Sequence, residues 1–300
     1  MKLPESVTLI EVGPRDGLQN EAQFVPTDTK LAFIRHLWSA GFKEMEVTSF
    51  VSPKWVPQMM DSKEIMNKTG NQKGTIVLAP NKKGIEAALS SGAKSIAVFL
   101  GVSSTFNQKN INKSTKEAME DLIPQIKNLK TKGIFVRACI STSFYCPYEG
   151  QIEPASTLDL CRKFAEAGVD ELSVADTIGR ATPKEAFELF SLLKSGLPEI
   201  LLTAHFHDTK KMALANIYAA LLAGVDRFDS STGGLGGCPF APGASGNVAT
   251  EDVVYMLQNM GIQTGINPDI LVEAISIIKP YVSRPFQSGY YISSTIEKGS

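Results

Sequence analysis

Short runs dominated by apolar side chains alternate, along almost the whole chain, with longer runs whose apolar positions recur every three or four residues. The short runs read as strands and the longer ones as helices buried along one face. Val7 to Val12 predicts the first strand and Thr27 to Ala40 the helix that follows it. Further strands are expected at Glu44 to Val47, Thr75 to Ala79, Ser95 to Leu100, Ile134 to Ile140, Glu171 to Ala175, Leu201 to Phe206 and Arg227 to Ser230. Helices are expected at Lys82 to Ser91, Thr115 to Lys132, Ala155 to Ala167, Pro183 to Ser195 and Lys210 to Ala223, with a polar loop after Leu100. Gly41, Gly92, Gly133, Gly168 and Gly224 stand where five of these helices should stop, the usual place for a glycine.

Eight β-α units over roughly 250 residues predict an α/β fold of the (β/α)8 TIM-barrel type. A doubly wound sheet also alternates β and α, but usually opens with a glycine-rich first turn of the GxGxxG kind. Here that turn is GPRDG, and the run Gly234-Leu235-Gly236 meets Pro239 where a last glycine would stand. Residues beyond about Asn259 predict extra C-terminal helices, including Pro268 to Ile278. With no internal repeat or break in composition, residues 1–300 are expected to form one catalytic domain, a barrel over about 5–260 with helices over about 261–300.

Composition narrows the partners. With 30 Lys and Arg against 31 Asp and Glu, and no long basic run, nucleic acid is not expected. Lys82-Lys83 and Lys210-Lys211 read as solvated helix ends. No apolar stretch reaches the roughly 20 residues that span a bilayer, so no membrane partner is expected. MKLPESVTLIEVG enters a strand within a few residues, so no targeting segment is expected. Cys139, Cys146, Cys161 and Cys238 show no CxxC spacing and read as reduced thiols of a cytoplasmic protein.

The polar residues gather where such a barrel keeps its chemistry, at the C-terminal strand ends. Arg15 and Asp16 follow the first strand, Glu46 and Thr48 end the second, Asp176 and Thr177 follow the sixth, and His205 and His207 end the seventh. Imidazoles at alternate positions of an extended segment point to one side. With Asp16 and Asn247 they make a hard oxygen and nitrogen set, suited to Mg2+ or Mn2+. Zinc stays open, though a structural zinc site would use more thiolate. The alternative for His205 and His207 is hydrogen bonding within the barrel. Two of only three histidines at this spacing favour metal, while His36 in the first helix reads as structural. Beside Asp16, Arg15 offers a fixed cationic fork to an oxyanion. Asp229 to Asn247, DSSTGGLGGCPFAPGASGN, surrounds Cys238 with six glycines. A thiol in such a shaped loop is a candidate acid, base or nucleophile rather than a packing residue.

GPRDGLQNE (13–21), ADTIG (175–179), HFHD (205–208) and GGLGGCPFAPGASGNVATED (233–252) closely resemble the 3-hydroxy-3-methylglutaryl-CoA (HMG-CoA) lyase family, along nearly the whole chain. The RDG and HxH elements also occur in isopropylmalate and homocitrate synthases and transcarboxylase domains; GGCPFAPGASGN is far more specific. The resemblance implies an acyl-CoA substrate, cleavage of HMG-CoA to acetyl-CoA and acetoacetate, chemistry of leucine degradation and ketone bodies, and a homodimer. It makes Asp16, His205, His207 and Asn247 the ligands of a divalent cation. It makes Arg15 the group that stabilises the thioester enolate and Cys238 the catalytic acid/base. His205 or Asp176 takes the C3 hydroxyl proton, while Gln19, Glu46, Thr177 and Glu251 surround the substrate or back the ligands. No cysteine follows Cys238 in residues 239–300, so the intersubunit disulfide of the animal enzymes is not expected, as in a bacterial form. The alternative within enzymes is a Claisen-type synthase joining acetyl-CoA to a 2-oxo acid; a non-catalytic metal-binding barrel is the alternative outside them.

Overall fold

A computed structural model describes residues 3–237 and 246–297. Its strands are β1 (Thr8–Glu11), β2 (Glu44–Ser49), β3 (Thr75–Leu78), β4 (Ser95–Gly101), β5 (Phe135–Ser141), the small hairpin β6 (Tyr145–Cys146) and β7 (Gly150–Gln151), then β8 (Glu171–Asp176), β9 (Leu201–Phe206) and β10 (Arg227–Ser230). Leaving the hairpin aside, eight of these close into a barrel in the order β1-β10-β9-β8-β5-β4-β3-β2. All its pairings are parallel, and the seam joins first strand to last, Thr8 opposite Arg227 and Ile10 opposite Asp229. The fold is the (β/α)8 barrel that the alternation predicts.

The helices are α1 (Thr27–Ser39), α2 (Ser62–Thr69), α3 (Lys82–Ser90), α4 (Ser104–Ile111), α5 (Thr115–Thr131), α6 (Pro154–Ala167), α7 (Pro183–Gly196), α8 (Ala213–Leu222), α9 (Thr250–Asn259), α10 (Pro268–Ile278) and α11 (Gly289–Glu297). The five helix-stopping glycines all adopt positive φ, from 69° at Gly133 to 113° at Gly41. Two departures from the periodicity have local causes. The polar segment after β4 folds as α4 because the Ser103 side chain accepts the Phe106 N–H at 3.0 Å, and Asn112 ends the helix at φ 56°. Helix α8 begins at Ala213 rather than Lys210, since Lys211 is left-handed and Asp208 Oδ1 accepts the Ala213 N–H at 3.1 Å.

Strand side chains alternate between two environments. Outward residues such as Val136, Ala138, Ile140 and Phe206 join Phe33, Leu37, Phe164 and Phe190 in the core between strands and helices. Inward residues split into two unlike sets. Ile10, Val12, Ile76, Leu78 and Ala97, from β1, β3 and β4, form an apolar cluster with Phe99 and Cys139 packed on it. The other set is polar and holds Glu46, Arg137, Glu171, His205 and Asp229, with Ser173 and Thr203 bonded to its carboxylates.

Candidate active site at the mouth of the barrel

The segment GPRDG leaves β1 in a widened helical turn, in which Gly17 N–H reaches Val12 O at 3.1 Å and Leu18 N–H reaches Gly13 O at 2.9 Å. Five-residue steps of this kind are rare and concentrate at functional sites. The turn lies tight against the glycine run: a Cβ on Gly17 would stand 2.9 Å from both Leu235 Cβ and Ser231 Oγ. Asp16 Oδ1 accepts from Arg15 Nη1 at 2.6 Å and from Gln19 Nε2 at 2.7 Å, and Oδ2 accepts from Asn247 Nδ2 at 2.8 Å. Burial alone would raise the Asp16 pKa, but Arg15, His205, His207 and the Asn247 bond together hold it below the ordinary value.

Asp16 meets the two histidines at the end of β9. His205 lies on the strand, its ring centroid 5.3 Å from that of His207 just beyond it. One donor atom from each of Asp16, His205 and His207 lies within 4.8 Å of the other two. Asn247 pairs with His207 in a short bridge, and its buried Oδ1 has no hydrogen-bond partner among the described residues. A carboxylate, two imidazoles and a desolvated amide oxygen with nothing to bind fit a divalent cation. Gly236 makes room for that amide: at φ 114° its missing Cβ would stand 2.5 Å from Asn247 Nδ2.

Beneath this cluster runs a buried ionic chain. Arg15 Nε donates to Glu46 Oε2 at 2.6 Å, and its Nη2 meets the same oxygen. Fully buried Arg137 on β5 lies 3.7 Å from both Glu46 and Glu171 and bonds both oxygens of Asp229 on β10. Asp229 Oδ2 also accepts from Ser173 Oγ at 2.7 Å and faces His205 Nδ1 at 3.0 Å. Burial would raise the Asp229 pKa, but Arg137 and His205 outweigh it and hold the group ionised. Its carboxylate therefore accepts the Nδ1 proton, which leaves His205 Nε2 as the free lone pair. The same balance, burial opposed by Asp229 and Asp16, raises the pKa of His205. Arg15 has five N–H groups; three engage Glu46 and Asp16, so among the described residues two remain for a ligand.

The other expected site residues have distinct placements. Asp176 ends β8, and its oxygens accept the N–H groups of Arg180 at 3.1 Å and Ala181 at 2.8 Å; burial lifts its pKa to about 6. Thr177 Oγ1 accepts the Thr142 N–H at 2.7 Å. Glu251 does not join the cluster through any bond: both its oxygens accept the Gly233 N–H at 3.1 Å, and burial raises its pKa to about 7. It props the turn from which the glycine run leaves. Cys238 lies outside the described residues. Just ahead of it, Asn20 Nδ2 donates to Gly237 O at 2.7 Å and Arg284 donates to Gly236 O. Burial pushes the Cys139 and Cys161 thiols up to about 12, so neither is a thiolate near neutral pH.

Three site residues escaped the reading of the sequence. Arg137 and Asp229 sit inside strands, where alternation with Val136, Ala138 and Phe228 is the one signal that turns them inward. Glu11, fully buried at the end of β1, accepts from Gly13 N at 2.7 Å, Thr232 N at 2.9 Å, Thr232 Oγ1 at 2.7 Å and Thr250 Oγ1 at 2.8 Å. It ties both chemistry-bearing segments to the barrel seam, and burial raises its pKa to about 7.

The HMGL-like family model matches residues 6–278. The 3-hydroxy-3-isohexenylglutaryl-CoA/hydroxy-methylglutaryl-CoA lyase of Pseudomonas aeruginosa is 46% identical over 276 residues, 91% of this chain and 92% of the relative. The solved hydroxymethylglutaryl-CoA lyase of Pseudomonas aeruginosa superposes with a TM-score of 0.94 at 43% identity, covering 99% of this chain and 100% of that one. An HMG-CoA lyase from Acinetobacter baumannii, solved in complex with coenzyme A and 3-methylmalate, superposes with a TM-score of 0.91 at 35% identity over 96% of this chain and 95% of that one.

Proposed function

The chain belongs to the HMGL-like family, and we propose that it is a metal-dependent carbon–carbon lyase cleaving HMG-CoA to acetyl-CoA and acetoacetate. The observation that carries this reading is the convergence of Asp16, His205 and His207 beside the free Asn247 Oδ1 and the buried fork of Arg15. Bound to Asp16, His205, His207 and Asn247 Oδ1, Mg2+ or Mn2+ would polarise the C3 hydroxyl and lower its pKa.

The residues divide the remaining work. Asp176, lifted to about 6 by burial, accepts the C3 hydroxyl proton, because His205 Nδ1 is committed to Asp229 and its Nε2 lone pair would be held by the cation. As the C2–C3 bond breaks, its electron pair moves onto C2 and the thioester oxygen, where the two spare N–H groups of Arg15 meet the charge. Cys238 then delivers a proton to C2, which becomes the methyl group of acetyl-CoA. Thr177 donates a hydrogen bond to a substrate oxygen. Gln19 and Glu46 hold Asp16 and Arg15 in place, and Glu251 steadies the turn ahead of Cys238. We place the reaction in leucine degradation, in the cytoplasm and in a homodimer. Three unpaired thiols among the described residues are in keeping with a reducing compartment.

Purified protein incubated with HMG-CoA and Mg2+ or Mn2+ should release acetoacetate, and chelation should stop it. Cys238→Ala should nearly abolish cleavage yet still bind acyl-CoA and metal, and Cys238→Ser should restore little, since a hydroxyl is the weaker acid. No acetoacetate from a metal-loaded, folded enzyme would overturn the reading, and condensation of acetyl-CoA with a 2-oxo acid would replace it with a synthase. Parental turnover by Cys238→Ala would remove that residue from the chemistry.

A further inference from the structure

Among the described residues, three other than glycine adopt left-handed φ: Asn112, Thr142 and Lys211. Asn112 ends a helix and Lys211 lies exposed, but Thr142 is fully buried at the mouth end of β5, with φ 54°. For a β-branched side chain this backbone is a genuine outlier, which persists only where its surroundings over-determine it. Two neighbouring strand ends do so here. Thr142 Oγ1 donates to Ser141 O at 2.7 Å and accepts the N–H of Ser103, beyond β4, at 3.2 Å. On the opposite side two successive amides turn toward β8, Thr142 N–H to Thr177 Oγ1 at 2.7 Å and Ser143 N–H to Ala175 O at 3.1 Å. A hydroxyl has one proton to give. Accepting from Thr142 fixes the Thr177 oxygen, while its own proton meets no acceptor among the described residues.

We propose that Thr142 is a positioning residue: its left-handed backbone, locked by Ser103 and Ser141, holds the Thr177 hydroxyl so that its proton faces an oxygen of the bound acyl-CoA. The substrate half of this statement rests on the lyase reading; the conformational half does not. Because the backbone of Thr142 acts rather than its hydroxyl, a residue at ease with positive φ should substitute for it. Thr142→Gly should keep kcat/KM within about threefold of the parent. Thr142→Val keeps the shape, loses the lock and tolerates positive φ poorly, so kcat/KM should fall roughly 10-fold, a typical cost of misplacing a substrate-contacting group. Thr177→Val should cost on the order of 10- to 100-fold, and adding Thr142→Val to it should cost nothing more.

Should Thr142→Val not fold, Thr142→Ala against Thr142→Gly makes the same comparison, alanine being the slower enzyme. Equal losses in the glycine and valine or alanine variants would show that the hydroxyl matters and overturn the proposal. So would full activity in all of them, or additive losses with Thr177→Val. If the parent itself fails to cleave HMG-CoA, the lyase reading falls separately. Crystal structures of the variants then judge the conformational half: Thr177 should keep its side-chain orientation in Thr142→Gly and lose it in Thr142→Val. A Thr177 unmoved in Thr142→Val would overturn it.

Discussion

The barrel encloses two interiors that obey different rules. Facing inward from β1, β3 and β4, Ile10, Val12, Ile76, Leu78 and Ala97 pack as an ordinary apolar core, each contributing by area removed from water. Facing inward from β5, β8, β9 and β10, and from β2 between β1 and β3, Arg137, Glu171, His205, Asp229 and Glu46 fill the same kind of position with charge. Buried ion pairs seldom repay their desolvation, so the charged side is a poor way to hold a barrel together. It is a good way to fix the direction of Arg15 and the tautomer of His205, and the apolar side supplies the stability that makes this affordable.

Arg137→Met breaks the comparison most severely. It leaves Asp229, Glu171 and Glu46 buried without their shared cation, and losing one partner of a buried pair costs about 3–5 kcal/mol. Chemical denaturation should show that loss, and little soluble protein should accumulate. Asp229→Asn is milder in stability and sharper in function. It keeps the shape but removes the charged acceptor of His205 Nδ1, and such support behind a ligand is worth about 10–100-fold in metal affinity. Calorimetric titration with Mn2+ should show that fall; unchanged affinity would reduce the ionic chain to packing. Smallest in its effect on chemistry is Ile76→Val, on the apolar side. It should lower unfolding free energy by about 0.5–1.5 kcal/mol while kcat stays within twofold. A large loss of kcat there would show that the two interiors are not separable.

How much of this can be read from residues alone follows the same division. The periodicities of 2 and 3.6 residues, with the glycines at helix ends, declare the barrel because each is a local pattern that burial enforces. The convergence of Asp16, His205 and His207 is legible because their residue types are unusual and fall where strands end, while Asn247 is marked only by closing the glycine run. The ionic chain is not, since its links are contacts between distant segments: Arg137 and Asp229 are 92 residues apart. A charged residue within a strand says that one face is special, but not which opposite charge it will meet. Glu11 looks like an ordinary polar end to β1, and only the folded seam shows it holding Thr232 and Thr250. The left-handed backbone of Thr142 has no local signature, because threonine is the wrong residue for it.

The seam between β1 and β10 has one more consequence, for folding. Asp16 meets Asn247 across 231 residues and Glu11 meets Thr250 across 239, the ends of a loop that includes most of the chain. Contacts of such separation bear the largest loop-closure entropy and form slowly. A growing chain completes its first half-barrel long before His205, His207 and Asn247 exist to join Asp16, so the cation site cannot assemble piecemeal. A cation that binds the finished cluster is therefore selective for the closed ring over every open form. At a hundred times its Kd it would add about 2.7 kcal/mol to the unfolding free energy. Metal-dependent thermal stability would thus measure ring closure as much as it measures the site.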